Sequence, residues 1–532
     1  MRFFNTAGPV NCEDHYCLPP LSRVNLDEIL SLIGQKKYFV LHAPRQVGKT
    51  TLLLALRDYL NASGAYRCLY INVESAQAAR EDVRAGMRAI LSELMLWGRI
   101  TLQDPFFLEN ANDILARYGE FSALDAALTL WAERDPTRPA ILLIDEIDAL
   151  VGDTLISVLR QVRSGYPKRP AAFPQSIVLC GVRDVRDYRI HSGQEKAIIT
   201  GGSAFNIRAA SLRLGDFSQA DVETLYSQHT AETGQLFTPE ALELVWELTQ
   251  GQPWLVNALG YETCFHMPAG RDRMLAITGE RILEAKEAII LRRETHLDQL
   301  TDKLKEPRVR RVVEPILIGD VFGEQFRADD VQYAVDLGLI RQERNGALRL
   351  ANRIYQEVIP RELTWDAQTG MTLVQAWYVR PDGRLDVDKL LAAFQQFFRE
   401  HSEHWVERFD YKEAGPQLLL QAFLQRIVNS GGRIEREYGL GRGRTDLLIL
   451  WPYRASDPSH IQRVVVEIKL LRKSLEQTIA EGLAQTWETM DRCAAEAGHL
   501  VIFDRQPGRT WDEKIFRRPE TYREQPISVW GV

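Results

Sequence analysis

Residues 43–50 read APRQVGKT; they follow the short apolar run YFVLH and lead into the helix-favouring sequence TLLLALRDYL. A strand, a tight loop and a helix that begins on Gly-Lys-Thr are the elements of a phosphate-binding P-loop. In such a loop backbone N–H groups surround the phosphates, the lysine reaches the β- and γ-phosphate oxygens, and the threonine is a Mg²⁺ ligand. We predict an ATP site formed by the following residues, with Thr50 also a metal ligand: Ala43, Pro44, Arg45, Gln46, Val47, Gly48, Lys49 and Thr50. Ala43 stands where the motif has glycine, and alanine fits there if its φ is negative.

A second motif, ILLIDEID at residues 141–148, supplies acidic groups at the end of another apolar strand. Asp145 is placed to hold Mg²⁺ through a metal-bound water, and Glu146 is placed to polarise the water that attacks ATP. Each motif alone is also compatible with an ordinary loop or a helix-capping acid. Because both motifs follow buried strands, we interpret them as one ATP site.

The pattern of short apolar runs separated by longer helical stretches predicts the fold class. Strands separated by helices are typical of a parallel sheet that is buried on both faces, so we predict an α/β fold for the first part of the chain. The predicted strands are Tyr38–His42, Leu69–Val73, Ala140–Asp145, Ile177–Cys180 and, as one further candidate, Ser211–Leu214. Two of the predicted helices are Ala79–Trp97 and Phe121–Glu133.

After this region the strand signals stop, and helix-capping signals indicate a small helical lid. Ser218 and Asp221 form a capping-box pattern, Thr238 precedes a proline at a helix start, and Gly251-Gln252-Pro253 interrupts the helices. Three further helices, the last around Ala328–Asp336, followed by a hairpin with an Asn345-Gly346 turn resemble a winged helix. The predicted domains are an ATPase core (1–215), a helical lid (216–275), a winged helix (276–363) and a C-terminal α/β module (364–532).

The composition excludes several classes of protein. Of 532 residues, 65 are Lys or Arg and 72 are Asp or Glu, so the net charge of 65 − 72 = −7 argues against coating nucleic acid by bulk charge. Hydrophobic residues make up 45%, which excludes a disordered chain. Six cysteines make no disulfide framework, and no apolar run reaches membrane-spanning length, so we expect a cytoplasmic protein without membrane contacts. A zinc site is improbable at Cys12, His15 and Cys17, because these residues supply three possible ligands and no fourth lies nearby in the sequence.

The chain resembles the AAA-like, archaeal-type ATPases of the STAND group over residues 1–363, through the P-loop, the DEID acids, SAFNIRAASLRLGDFS and GQPWLVNALG. The resemblance implies a nucleotide-controlled switch that forms homo-oligomers. It also implies that Gly251 and Pro253 lie against the nucleotide base, although a rigid turn at a helix start explains the same residues. Arg183 is the candidate sensor, and Arg160 and Arg163 are candidate arginine fingers; for all three the solvated-arginine interpretation is favoured.

The C-terminal module contains a second candidate site. Asp446 begins the apolar run DLLIL, and VVVEIK carries Glu467 and Lys469, which share one face of a strand. Two carboxylates can hold Mg²⁺ or Mn²⁺, the metal can stabilise charge on a phosphate, and the ammonium group can position a water. The run VVVEI is too apolar for an exposed edge strand. A solvated Glu–Lys pair is the ordinary alternative.

This D…ExK arrangement resembles the PD-(D/E)xK nucleases over residues 417–503, where we predict a helix (Gln417–Asn429), three strands, a helix and a strand, the order of that family. The resemblance implies that Gln485, on the following helix, and Glu413, near the first helix, complete the catalytic site. Thr445 replaces the proline of the family motif, and Glu437 is an alternative contributor. We therefore predict an ATP-dependent or ATP-gated metal nuclease acting on DNA, with RNA left open and with a prokaryotic defence role implied by analogy. The alternatives are a nucleotide-switched DNA-binding or scaffold protein with an inactive nuclease fold, and an ATP-driven DNA-remodelling motor.

Overall fold

The computed structural model describes residues 1–184, 189–192, 197–200, 207–292, 295–316, 326–363, 378–406, 419–421, 423–424, 433–437, 446–453, 460–471, 474–504 and 509–532. They divide into two units, Met1–Leu291 with Asp336–Gly338, and Arg292–Val335 with Leu339–Val532. The four-domain division made from the sequence stays a prediction. Among the described helices none is long and apolar enough to cross a membrane.

The first unit is built on a five-stranded sheet in which every neighbouring pair is parallel. Its strands are β1 Tyr38–His42, β2 Arg67–Asn72, β3 Ala140–Asp145, β4 Ser176–Gly181 and β7 Arg208–Arg213. They lie side by side in the order β2-β3-β4-β1-β7. Two further strands, β5 Arg189–Ser192 and β6 Ala197–Thr200, form a separate antiparallel pair. The α/β fold class and the parallel sheet are therefore confirmed for this unit.

Helices cover both faces of this sheet, because consecutive residues of its strands are apolar. Along β3, Leu142 and Ile144 belong to one buried cluster, while Ile141 and Leu143 belong to the cluster on the other face. The helices are α1 Leu26–Gly34, α2 Lys49–Ala62, α3 Val83–Leu102, α4 Phe106–Tyr118, α5 Ala123–Glu133 and α6 Gly152–Gly165. The predicted helix 79–97 begins later than expected, since residues 74–79 form a 3₁₀ turn. The structure adds α4, which the sequence analysis did not predict.

Four helices follow the sheet in the first unit, and their caps are those that the sequence predicts. They are α7 Gln219–Thr233, α8 Pro239–Thr249, α9 Pro253–Tyr261 and α10 Gly279–Arg292. Ser218 and Asp221 form the capping box of α7, and Thr238 caps α8. Pro253 occupies the first turn of α9, where its missing N–H costs no hydrogen bond.

An N-terminal segment is held to this helical region and to α2 by hydrogen bonds. Tyr16 Oη lies 3.1 Å from His229 Nδ1, and the backbone N–H of Val10 donates to Thr51 Oγ1 at 3.0 Å. A disulfide joins Cys12 and Cys17. From the sequence we expected no disulfide framework and weighed Cys12 and Cys17 as zinc ligands, so their pairing is a correction to that expectation.

The described residues between 295 and 363 form short helices and a two-stranded hairpin, and all of them except Asp336–Gly338 belong to the second unit. The elements are α11 Thr295–Leu304, α12 Pro307–Ile316, α13 Ala328–Asp336, β8 Ile340–Gln342, β9 Leu348–Leu350 and α14 Arg353–Leu363. Helix α13 has the predicted bounds, and Gly346 adopts the φ of 85° that the Asn-Gly turn requires. The order of helices and hairpin agrees with a winged helix, and that assignment stays a prediction.

The basic run KLKEPRVRR in this region is largely paired with acids of its own unit. Arg310 and the fully buried Glu314 form an ion pair at 2.9 Å, and Arg308 lies 3.4 Å from Asp330. Lys303 pairs with Glu306 at 2.7 Å. The positive charges of residues 303–311 are therefore partly compensated within this unit.

The last part of the chain forms a six-stranded mixed sheet in the order β10-β11-β12-β13-β15-β14. Its strands are β10 Arg433–Glu437, β11 Asp446–Pro452, β12 Ile461–Leu470, β13 Ala497–Phe503, β14 Phe516–Tyr522 and β15 Gln525–Gly531, with α15 Val387–Val406 and α16 Leu475–Cys493 as the long helices. The first three strands form an antiparallel meander, and β13 runs parallel to β12. The antiparallel pair of β14 and β15 was not predicted. Most of the predicted helix 417–429 lies outside the described residues.

Candidate functional site

The P-loop connects the end of β1 to the start of α2. Gly48 has a φ of 95° and Gln46 a φ of 58°, so the loop turns sharply before the helix begins at Lys49. Ala43 is buried and does not have a positive φ, which satisfies the condition under which alanine replaces glycine. The Lys49 ammonium donates to the carbonyl oxygens of Ala43 and Pro44, each at 3.0 Å.

Thr50 and Asp145 meet directly beside this loop, as a shared metal site requires. Thr50 Oγ1 donates to Asp145 Oδ2 at 2.7 Å, and Tyr70 donates to the same oxygen at 3.1 Å. The other oxygen of Asp145 accepts the backbone N–H of Glu146 at 3.0 Å. The carboxylate is fully buried at the carboxyl end of β3, and these three donors orient it. Tyr70 is a positioning residue that no sequence motif indicated.

Glu146 follows Asp145 in a left-handed conformation, with a φ of 55°. Such a backbone is costly for a residue with a side chain and occurs often at functional sites. Burial raises the pKa of Glu146; Asp148 raises it further, Lys49 lowers it, and Asp145 raises it. A carboxylate with a raised pKa is a better base near neutral pH. Asp148 itself accepts the Val182 N–H at 3.2 Å, which ties the ends of β3 and β4 together.

Gly251 has a conformational reason to be glycine. Its φ is 79°, and a Cβ atom at this position would lie 1.9 Å from the carbonyl oxygen of Phe217. The backbone N–H of Phe217 donates to Gly251 O at 2.9 Å. Pro253 is buried at the start of α9. The rigid-turn explanation of the Gly-Gln-Pro sequence therefore has direct support, and the contact with a nucleotide base stays a prediction.

The three arginines named as sensor or finger candidates differ in their surroundings. Arg183 Nε lies 3.1 Å from Asp336 Oδ2, and both residues belong to the first unit. Only 2% of the Asp336 side chain is exposed, so this ion pair is shielded from solvent. Arg160 and Arg163 are exposed on α6, whereas only 12% of the Arg183 side chain is exposed, so the solvated interpretation is wrong for Arg183.

The second candidate site lies on β12 of the second unit. Glu467 is fully buried, and its Oε1 lies 2.6 Å from Lys469 Nζ. Strand β12 is not an edge, since β11 and β13 flank it. Pairing of Leu447 with Val466, continued by one residue, brings the backbone of Asp446 opposite that of Glu467. The fold therefore places the start of β11 beside the Glu467–Lys469 pair.

Helix α16 covers the same face of the sheet. Val465 of β12 and Leu483 of α16 belong to one buried cluster, and Glu467 lies two residues beyond Val465 on that face. Among the described residues, the close contact of the Glu467 carboxylate is the ion pair from Lys469 to Oε1, and its Oε2 has no hydrogen-bond partner there. The buried Oε1 of Gln485 also lacks a partner.

Some predicted residues of this site cannot be placed. Glu413 and Thr445 lie outside the described residues, and for Asp446 and Glu437 only the backbone is described. Within the described part of the chain, no group of three or more His, Cys, Asp or Glu side chains could hold a metal ion. The fit to a metal therefore rests on Glu467, whose buried anionic oxygens are acceptors that a hard cation would satisfy.

No protein-family model matches the chain, and no curated protein matches it. Similar solved structures include a Walker-type ATPase of Pyrococcus abyssi, 15% identical over 67% of this chain and 99% of that chain, with a TM-score of 0.45. They also include the RuvB Holliday junction branch migration motor of Thermotoga maritima, 14% identical over 63% of this chain and 94% of that chain, with a TM-score of 0.32. A third is Cdc6p of Pyrobaculum aerophilum, 14% identical over 68% of this chain and 97% of that chain, with a TM-score of 0.36. These TM-scores lie below 0.5, so the similarities by themselves assign no function to the chain.

Proposed function

We propose that the first unit binds ATP with Mg²⁺ and hydrolyses it. The observation that carries this proposal is the hydrogen bond between Thr50 and Asp145, which joins the start of the P-loop helix to the acid pair. A serine or threonine after the P-loop lysine and an acid at a strand end are the groups that hold the metal of a nucleotide in P-loop proteins. The two sequence motifs thus meet in one place.

Each residue of the site has a definite task in this reaction. The P-loop N–H groups and Lys49 bind the β- and γ-phosphates, for which Lys49 exchanges its present carbonyl partners for phosphate oxygens. Thr50 and Asp145 would hold Mg²⁺, Asp145 through a metal-bound water. When bound, the metal neutralises charge that develops on the phosphate oxygens. Glu146, whose pKa is raised, accepts a proton from the attacking water.

A titration of the full chain with ATP and Mg²⁺, followed by calorimetry, tests this site. We expect saturable binding that Lys49→Ala weakens at least tenfold, because a charged hydrogen-bond donor to the phosphates is lost. The matched control is Lys305→Ala, since Lys305 is a 73% exposed lysine in the second unit. Equal affinity of the wild type and Lys49→Ala would refute the assignment.

We propose further that the C-terminal module is a metal-dependent nuclease that acts on DNA. The observation that carries this step is the buried Glu467 carboxylate, which has the Lys469 ammonium beside it and no hydrogen-bond partner among the described groups. The Lys469 ammonium compensates one oxygen of this buried carboxylate, and a metal cation would satisfy the other. The register of β11 places the backbone of Asp446 opposite Glu467, and Gln485 of α16 carries a further buried oxygen without a partner among the described groups. Both are consistent with a Mg²⁺ or Mn²⁺ site on this face of the sheet.

In this proposal Asp446 and Glu467 hold the metal, and Lys469 positions the attacking water. When bound, the metal stabilises the charge that builds on the phosphodiester. Gln485 orients the water or the metal from α16, and Glu413 remains a candidate from the sequence alone. ATP in the first unit would gate or drive cleavage, with homo-oligomers forming as the resemblance implies. An inactive nuclease fold that only binds DNA and a DNA-remodelling motor are the competing functions.

Metal binding can be tested without a nuclease assay. We expect Mn²⁺ to raise the thermal unfolding temperature of the wild type but not that of Glu467→Gln, because the variant lacks the anionic ligand. Glu476→Gln is the matched control, since Glu476 is a 78% exposed glutamate on α16. An equal shift in the wild type and Glu467→Gln would show that the ion binds elsewhere.

A further inference from the structure

Arg23 lies at the end of a 3₁₀ turn and contacts two separate parts of the first unit. One guanidinium nitrogen donates to the Val47 carbonyl oxygen of the P-loop at 2.6 Å. The other donates to the Gly215 carbonyl oxygen, before α7, at 2.7 Å. No sequence motif indicated this residue, and none of the roles assigned above uses it.

The contact with Val47 fixes one peptide group of the P-loop. In a trans peptide the C=O of Val47 and the N–H of Gly48 point in opposite directions. Arg23 fixes this carbonyl, and the Gly48 N–H therefore points away from the guanidinium, which leaves it available to a bound phosphate. A Cβ atom on Gly48 would lie 2.9 Å from the Arg23 guanidinium, so the glycine also provides the space that Arg23 occupies.

The second contact continues into the helices that follow the sheet. The guanidinium lies over the Phe217 ring, 4.7 Å from its centre, which is cation–π distance. Phe217 in turn donates its N–H to Gly251 O at 2.9 Å. A continuous series of contacts thus runs from Val47 through Arg23 and Phe217 to the turn before α9.

We propose that Arg23 is a positioning residue that couples phosphate binding in the P-loop to the position of the 215–253 segment. The inference rests on the proposed ATP binding and adds the link through which the bound nucleotide orders the helices after the sheet. Burial lowers the pKa of Arg23 to about 10, with Asp216 and Asp221 opposing the shift. The group therefore remains a cation at neutral pH and keeps both charged hydrogen bonds.

The test compares Arg23→Lys with Arg271→Lys in the full chain. Lysine keeps the charge but lacks the planar fork that serves two carbonyls at once. Arg271 is a matched control, since its guanidinium also donates to two backbone carbonyls, Phe265 O and His266 O, on an exposed surface. We expect Arg23→Lys to weaken MgATP binding about tenfold, the loss typical of a charged hydrogen bond, and Arg271→Lys to leave it unchanged.

Amide hydrogen exchange at saturating MgATP separates coupling from simple structural damage. In the wild type and in Arg271→Lys, we expect ATP to protect both the P-loop and residues 215–217 and 249–253. In Arg23→Lys, saturating ATP should protect the P-loop but leave the second segment unprotected. Phe217→Leu, which keeps both carbonyl contacts, should lose the same distant protection with an affinity change below about threefold.

Wild-type affinity together with wild-type protection in Arg23→Lys would overturn the coupling while leaving the ATP site intact. Absence of ATP binding in the wild type itself would overturn the proposed function and, with it, this inference. If Arg23→Lys fails to fold, Phe217→Leu carries the test alone, and undiminished protection of 249–253 in that variant would refute the coupling.

Discussion

Thr50 Oγ1 donates a hydrogen bond to Asp145 Oδ2 at 2.7 Å, although 95 positions separate the two residues in the chain. The contact exists because β3 ends beside the P-loop on the same edge of the parallel sheet. Tyr70 and the Glu146 N–H hold the carboxylate from its other sides. Replacing the threonine hydroxyl therefore removes one proposed metal ligand while two donors still orient Asp145.

We expect Thr50→Val to abolish the dependence of ATP binding on Mg²⁺ and to lower the ATP turnover rate. The cause is the loss of a metal ligand, and the free energy of unfolding should fall by only about 1 kcal/mol, the value of one hydrogen bond. Binding titrations with Mg²⁺ or with EDTA measure the effect. Thr129→Val is the control, because it also removes a threonine hydroxyl that takes part in a hydrogen bond, the one accepted from the Lys168 ammonium at 3.2 Å. A magnesium dependence that Thr50→Val preserves would exclude Thr50 as a ligand.

Glu146→Gln should retain ATP binding and lower kcat by roughly 10²- to 10⁴-fold, the usual loss of a general base. Since a base acts when deprotonated, activity should fall as the pH drops through the Glu146 pKa, which lies above its ordinary value of 4.5. Asp148→Asn removes a charge that raises this pKa, so the acid limb of the kcat profile should move to lower pH. A limb that moves to higher pH would contradict the assignment of Glu146 as the base.

Gly251→Ala should destabilise the chain far more than Gly234→Ala. Both glycines have similar positive φ values, 79° and 77°, and both substitutions carry the left-handed penalty of about 1 kcal/mol. Only at Gly251 does a Cβ atom meet a backbone oxygen, since nothing lies within 4 Å at Gly234. Overpacking of this kind adds roughly 1–3 kcal/mol. Denaturant unfolding of the two variants measures the difference, and equal losses would show that the clash relaxes freely.

Reduction of the Cys12–Cys17 disulfide should lower the free energy of unfolding by about 2 kcal/mol, the loop-entropy value for a short closed loop. Cys12 is exposed, so dithiothreitol reaches it. Thermal unfolding with and without the reductant should show a shift in the wild type and none in Cys12→Ser. If dithiothreitol shifts the unfolding temperature of Cys12→Ser by the same amount, the reductant acts on another group.

Local signals in the sequence predicted much of the fold. The bounds of β1, β3 and α13 agree with the prediction, because apolar runs and helix periodicity depend on neighbouring residues. The Ser218–Asp221 capping box and the Asn345-Gly346 turn are equally local and are confirmed. Helix α4 and the β14–β15 pair were missed.

Contacts between residues that lie far apart in the sequence were harder to predict than the motifs themselves. The motifs named Thr50 and Asp145 separately, and their contact depends on the strand order. The role of Arg23 depends on carbonyl groups at Val47 and Gly215, and a backbone carbonyl has no sequence signature. The close approach of Gly251 to the backbone of Phe217 is a contact of the same kind, and the contact with a nucleotide base that the family resemblance implies stays a prediction.

DNA cleavage by the full chain joins the proposed ATP site and the proposed metal-dependent nuclease site in one measurement. Full-length protein is incubated with single-stranded and duplex DNA, and with RNA, in Mg²⁺ or Mn²⁺, with and without ATP. We expect metal-dependent cleavage of DNA by the wild type, its loss in Asp446→Ala and Lys469→Ala, and its loss in Lys49→Ala if ATP binding gates the reaction. Cleavage that persists unchanged in Asp446→Ala and Lys469→Ala, or no cleavage under any of these conditions, would refute the nuclease assignment.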